Sequence, residues 1–316
     1  MTTAVIAMSY GTPSAPGEVA SFYTDVRRGR APTPEQLEEL EARYNAIGGL
    51  SPLTARSRAQ VAALGAALEA VAPGRFATYY GTKHGSPKLE EAIAEAAACG
   101  ASALVGVVLA PHYSALSVGE YLERAALAAK AYDLPATFVR HYGSEPELIE
   151  LLASRVEDAL RSLQPELATG AEVLFSAHSL PARILESDDP YPAELAETAE
   201  LVANAAGLRH VRTAWQSAGR TADPWLGPDI GEVLEQLANA GTRAVVVCPA
   251  GFTSDHLEIL YDLDVVAAER ARQLGLTFVR TVSLNDDPLL ARLLARLVLH
   301  EDLSLELPPP PGRALR

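Results

Sequence analysis

Two short segments concentrate the side chains able to do acid–base or metal chemistry: residues 175–181, which carry His178, and residues 252–262, which carry Asp255, His256, Glu258 and Asp262. Each follows an apolar run, Val173-Leu174-Phe175 in one case and Ala244-Val245-Val246-Val247-Cys248 in the other, that reads as a buried strand. Open α/β sheets bind ligands outside the carboxyl ends of their strands, so both segments are expected at a ligand crevice. His178 is expected on the loop after its strand, where a neutral imidazole can accept a proton or bind a metal near pH 7. A lone histidine there can equally do no more than satisfy loop carbonyls. In the second segment Ser254 or Asp255 is expected to cap a helix. On that helix Asp255, Glu258 and Asp262, spaced three and four apart, would share one face, with Leu257, Ile259, Leu260 and Leu263 supplying the packing. Like charges so spaced repel by a few tenths of a kcal/mol per pair, roughly, so the stripe is either a solvated acidic face or a path for a cation.

The elements that must position these residues alternate along the chain. Strands are expected near 3–8, 75–80, 103–109, 136–140, 171–176, 211–215, 243–248 and 276–280. Amphipathic helices are expected near 17–28, 34–46, 54–71, 87–99, 119–132, 145–163, 191–206, 228–240, 256–274 and 286–298. Strands separated by helices imply right-handed βαβ crossovers and parallel sheets. The expected fold class is α/β: two similar doubly wound, Rossmann-like domains facing a shared cleft. The boundary is expected near residue 145, giving an N-terminal domain over 1–145, a C-terminal domain over 146–303 and a disordered Pro-rich tail over 304–316. A local echo supports the duplication, since Pro111 precedes Glu120 as Pro249 precedes Glu258, nine residues in each case.

With 316 residues the chain exceeds the usual size of one core, which also favours two domains. A formal net charge of -14 argues against nucleic acid and against stable attachment to an anionic membrane. Cys99 and Cys248 read as buried free thiols, with no disulfide framework and no cysteine set for zinc. The N-terminus lacks the pattern of a signal peptide, and no apolar stretch is long enough to span a bilayer, so a cytoplasmic monomer is expected. No phosphate cradle is visible: Gly48-Gly49 lacks the P-loop context, and Ser9-Tyr10-Gly11-Thr12-Pro13 follows the first strand instead. Arg27, Arg28 and Arg30 can bind carboxylates or phosphates bidentately, although a solvated helix end predicts the same composition.

Several motifs, in order, resemble the ferrochelatases: residues 9–13, 27–30, 47–53, 109–114, 176–181, 215–219, 223–228 and 255–262. The match runs over roughly residues 4–300 and is more similar to the monoderm type, coproporphyrin III ferrochelatase, than to the membrane-associated protoporphyrin type. The resemblance implies insertion of Fe(II) into a porphyrin without redox change, with Fe(II) as substrate, no required cofactor, and porphyrin or haem bound as substrate or product. It assigns His178 and Glu258 to catalysis, as base or metal ligand, and Asp255, Asp262 and His84 to the metal path. It assigns Tyr10, Arg27, Arg28, Arg30, Ser51 and Ser217 to the porphyrin. Val265 and Val266 stand where some relatives carry a further carboxylate, and Ala115 replaces a loop threonine.

Coproporphyrin III has four propionates against two in protoporphyrin IX, and the polar, cationic segment 20–36 lacks an apolar lip, so coproporphyrin III is the expected substrate. A transient partner that processes coproheme further follows from that expectation. The alternatives are protoporphyrin IX, a cobalt or nickel chelatase acting on sirohydrochlorin, and a non-catalytic haem or metal carrier. A nucleotide-sugar or periplasmic-type binder is disfavoured by the metal-suited residues.

Overall fold

The computed structural model describes residues 2–219, 221 and 223–306. Eight parallel strands form two four-stranded sheets: β1 Thr2–Ser9, β2 Phe76–Thr82, β3 Ala101–Val108 and β4 Ala136–Val139 in the first; β5 Glu172–His178, β6 Val211–Gln216, β7 Ala244–Cys248 and β8 Thr277–Arg280 in the second. Their orders are β2-β1-β3-β4 and β6-β5-β7-β8, so the two sheets share one topology and the local echo extends to the whole half. All eight expected strands form. Each is a short apolar run, and residues 4–8 of β1 are entirely shielded from solvent, as a parallel strand covered on both faces requires.

The helices are α1 Val19–Val26, α2 Pro34–Ala46, α3 Leu53–Val71, α4 Leu89–Ala98, α5 Val118–Lys130, α6 Pro146–Ser162, α7 Pro165–Ala168, α8 Tyr191–Ala205, α9 Ile230–Asn239, a π-helix Glu258–Ala267 that runs into α10 Ala268–Gln273, and α11 Pro288–Glu306. Chemistry of the caps agrees with the sequence at α2 and α9, where Thr33 and Asp229 form reciprocal capping boxes with Gln36 and Glu232. The residue 145 boundary falls between β4 and α6. The last helix, however, crosses back: α11 packs on α3, β3 and β4 as well as on α6. Thr3 donates to Asp302 at 2.9 Å and Arg75 pairs with the same carboxylate, fixing that helix against the start of β1. One apolar cluster therefore runs through both halves, from Val5 and Leu64 by way of Leu152 and Leu294 to Phe175 and Val246.

Three expectations change. Residues 304–306 belong to α11, and the Pro-rich remainder, 307–316, lies outside the described residues. Cys99 is exposed because α4 ends at Ala98 and the chain turns at Gly100 before that residue can join the buried face of Ala92 and Ala96; Cys248 is buried as expected. Strand β5 continues through His178, which pairs with Gln216 instead of lying on the loop. No helix among the described residues is long and apolar enough to cross a membrane.

Candidate active site

In each sheet the chain reverses direction of winding between its two central strands, and there the crevice opens. In the second sheet those strands are β5 and β7, and their carboxyl ends deliver His178 and the segment leading to Glu258. The fit is close: Gly251 N–H donates to Ser176 O at 3.0 Å, and a Cβ on Gly251 would lie 2.5 Å from that of Ala177, so only glycine lets the β7 loop cross the end of β5. Gln216, buried at the end of β6, accepts from Ser176 Oγ at 2.8 Å and donates to Glu258 O at 3.3 Å.

His178 Nδ1 donates to Ser179 O, leaving Nε2 3.4 Å from Glu258 Oε1. His256 repeats the arrangement: Nδ1 bonds Ser254 O at 2.9 Å and Nε2 lies 3.5 Å from Glu258 Oε2. The carboxylate is thus bracketed by two imidazoles. Burial alone would lower the His178 pKa, but the charge of Glu258 and its hydrogen bond more than offset this and raise it above 6.5. Burial would likewise raise Glu258, yet His178 first and His256 next hold its carboxyl well below the usual range. The site carries a proton between imidazole and carboxylate, and a cation that took its place would meet nitrogen and oxygen donors suited to Fe(II).

Of the remaining acidic residues, Asp255 lies before the helix and Asp262 on it, one turn after Glu258. The helix begins at Glu258, with Leu257 as an uncapped N-cap, so neither Ser254 nor Asp255 caps it. Asp255 is held by Ser283 at 2.7 Å, Asn285 at 3.0 Å and Arg280 at 3.4 Å. Burial pushes its pKa up, but those contacts bring it below normal. A π-helix has more residues per turn than an α-helix, so the four-residue step from Glu258 to Asp262 is close to one turn, and besides burial the Glu258 charge contributes to raising the Asp262 pKa. Asp262 accepts from Arg43 of the first half at 2.6 Å and from Ser217, and burial, ahead of the Arg43 charge, raises its pKa. Among the described residues no three ligating side chains converge closely enough to hold a metal by themselves.

The first sheet supplies the other wall. Tyr10 follows β1 on a turn where Gly11 adopts φ +92° and a Cβ would strike Gly85 N at 2.4 Å. That close approach lays the Tyr10 ring against His84, centroids 4.8 Å apart. Crowding by the surrounding protein, and next the charge of Glu258, push the Tyr10 phenol pKa up. His84 is paired through Nδ1 with Asp25 at 2.9 Å, which also binds Lys88, so His84 is held in the wall that carries Tyr10. Glu120, topological counterpart of Glu258, is bound by Lys83 and by Arg28 at 3.5 Å.

Of the residues expected to hold propionates, Arg28 has 82% of its side chain exposed, and Arg30 is exposed as well. Arg27 and Arg30 exchange Nε–H bonds with each other's carbonyls, and the Arg27 guanidinium lies 5.5 Å over the Tyr23 ring. Ser51 and Ser217 both engage other parts of the chain. Ser51 is buried, its Oγ accepting from the amides of Leu53 and Leu257, and Ser217 donates to Asp262; both brace the segment around Glu258. The sequence reading did not assign roles to His256, Gln216 or Arg43. Only the position of His256 two residues before Glu258 carried a signal.

A family model described as ferrochelatase matches residues 2–302. The chain is 41% identical over 298 residues to the ferrochelatase of Herpetosiphon aurantiacus, covering 94% of this chain and 98% of that protein. It is 38% identical over 301 residues to the coproporphyrin III ferrochelatase of Geobacillus thermodenitrificans, covering 94% and 95%, and 44% identical to the ferrochelatase of Thermus thermophilus, covering 90% and 94%. Among solved structures, SirB from Bacillus subtilis with Fe3+ is similar in fold at TM-score 0.63 and 13% identity, over 97% of this chain and 98% of that one.

Proposed function

The chain belongs to the ferrochelatase family, and from that premise we propose that it inserts Fe(II) into coproporphyrin III to give coproheme. The observation that carries the reaction is the His178–Glu258 pair at the strand ends, opposite Tyr10. Metallation exchanges two pyrrole N–H protons for one Fe(II), so the site must take up protons and replace the waters of the incoming ion. His178, its Nδ1 held by Ser179 and its Nε2 beside Glu258, serves in its neutral form as base or transient ligand, and Glu258 takes the proton on or shares the metal. Tyr10 faces the other side of the macrocycle, within reach of the product iron. No electrons change hands, and no resident cofactor is needed.

Three observations support the four-propionate substrate. Arg28 and Arg30 are exposed in a chain whose net charge is -14. Segment 20–36 is polar. Several similar proteins are named coproporphyrin III ferrochelatases. A cytoplasmic monomer that releases coproheme to a transient processing partner follows from the same reading. Binding of metal-free porphyrins, followed by fluorescence quenching, tests it. Coproporphyrin III is expected to bind more tightly than protoporphyrin IX, and Arg28→Gln or Arg30→Gln to weaken coproporphyrin III more. Equal affinities unaffected by either change would overturn the substrate assignment.

A further inference from the structure

The segment carrying Glu258 is gripped by the opposite half of the molecule. Gln60, on α3, is only 3% exposed, and its Nε2 donates one hydrogen to Thr253 O at 3.2 Å and one to Asn285 O at 2.9 Å. Thr253 lies on the loop after β7 and Asn285 on the loop after β8, so a single primary amide joins both strand-end loops of the second sheet to the first half. The two loops are also tied to each other. Asn285 N–H donates to Thr253 O at 2.7 Å, while the Asn285 side chain accepts from Asp255 N–H and donates to Asp255 Oδ2, both at 3.0 Å. Asn285 sits at φ +48°, a conformation asparagine tolerates, which aims its carbonyl at Gln60 and its carboxamide at Asp255.

We infer that Gln60 is a positioning residue for metallation, setting the placement of the metal-side segment, and so of Glu258, against the Tyr10 wall. This rests on the ferrochelatase reading of the site. The chemistry required at position 60 is specific: two hydrogens on one nitrogen, directed at two carbonyls. A carboxylate would present only acceptors there, and an apolar side chain would leave the partly buried Asn285 O without this donor.

Gln60→Met and Gln60→Glu test the assignment, with Ser57→Ala as the neighbouring control. Ser57 is fully buried one turn earlier on α3, and its hydroxyl has no hydrogen-bond partner among the described residues. With Gln60→Met, kcat is expected to fall on the order of tenfold to a hundredfold, because displacement of a reacting group by about 1 Å has that effect. The apparent KM for Fe(II) should rise while affinity for metal-free porphyrin is retained. Gln60→Glu should be worse, and Ser57→Ala should match the wild type. Amide hydrogen exchange supplies a readout independent of turnover: residues 253–258 should exchange faster in Gln60→Met, with the α3 amides unchanged. Wild-type kinetics and exchange in Gln60→Met would overturn the assignment. So would a fall in maximal rate that only tracks lost folded protein, with both KM values unchanged. A wild-type protein that metallates no porphyrin would instead sink the family reading of the site, and the exchange comparison would still judge the clamp.

Discussion

His178 Nε2 lies 3.4 Å from Glu258 Oε1, and each residue changes the protonation of the other: the imidazole pKa rises and the carboxyl pKa falls. The two shifts widen, at both ends, the pH range over which an imidazolium stands beside a carboxylate. The pair's contribution to stability is present above the ordinary carboxylate value of 4.5 and below the ordinary imidazole value of 6.5. It is lost as pH falls through the depressed Glu258 value, and again as pH rises through the raised His178 value.

Catalysis runs the other way on the alkaline side. His178 accepts a proton or a metal only after losing its own, so kcat/KM for metallation should increase with pH through the raised His178 pKa. Removing the partner charge in Glu258→Gln should move that limb to lower pH while lowering the maximal rate. A limb that stays in place would show that another group controls it.

Replacing His178 by alanine should reduce metallation by about 10²-fold or more, the usual weight of a positioned acid–base group. Porphyrin binding should persist, as should the folded state by circular dichroism, because His178 is half-buried at a strand end and not in the core. Near-wild-type turnover in this variant would remove His178 from the reaction.

Arg43 and Asp262 join the two halves at 2.6 Å, both largely shielded, with the Arg43 guanidinium also 5.0 Å over the Tyr261 ring. Arg43→Met and Asp262→Asn should each lower stability by about 1–3 kcal/mol, and the double variant by less than their sum. Denaturant titration of the four proteins measures the coupling. Additive losses would mean that the contact does not hold the halves together.

Gly251→Ala tests the crossing beneath His178. With only 2.5 Å available to the new Cβ against Ala177, the loop or β5 must shift, at a cost of about 1–3 kcal/mol and with loss of turnover. Thermal unfolding and initial rates read the two effects. Unchanged values in both would show the crossing to be loose.

The strands were legible because each is a buried apolar run bounded by turn residues, and the strand-end rule then brought His178 and Glu258 together before any contact was known. Asp255 lies outside the helix because the helix begins at Glu258, later than the cap at Ser254 or Asp255 that the sequence predicts, and is wound as a π-helix. Ser217 reads in the sequence as a free hydroxyl donor but donates to Asp262, and Ser51 is buried with its oxygen accepting from Leu257 N–H. Arg43 and Gln60 were invisible for a related reason: their partners belong to the other half of the chain, and no local pattern marks such a pairing. The return of α11 onto the first sheet is long-range in the same sense.

Initial rates of anaerobic metallation with Fe(II), measured on coproporphyrin III and on protoporphyrin IX by loss of free-porphyrin fluorescence, test the central claim most directly. Faster turnover of coproporphyrin III is the predicted result; faster turnover of protoporphyrin IX, or binding of both porphyrins with metallation of neither, would contradict it.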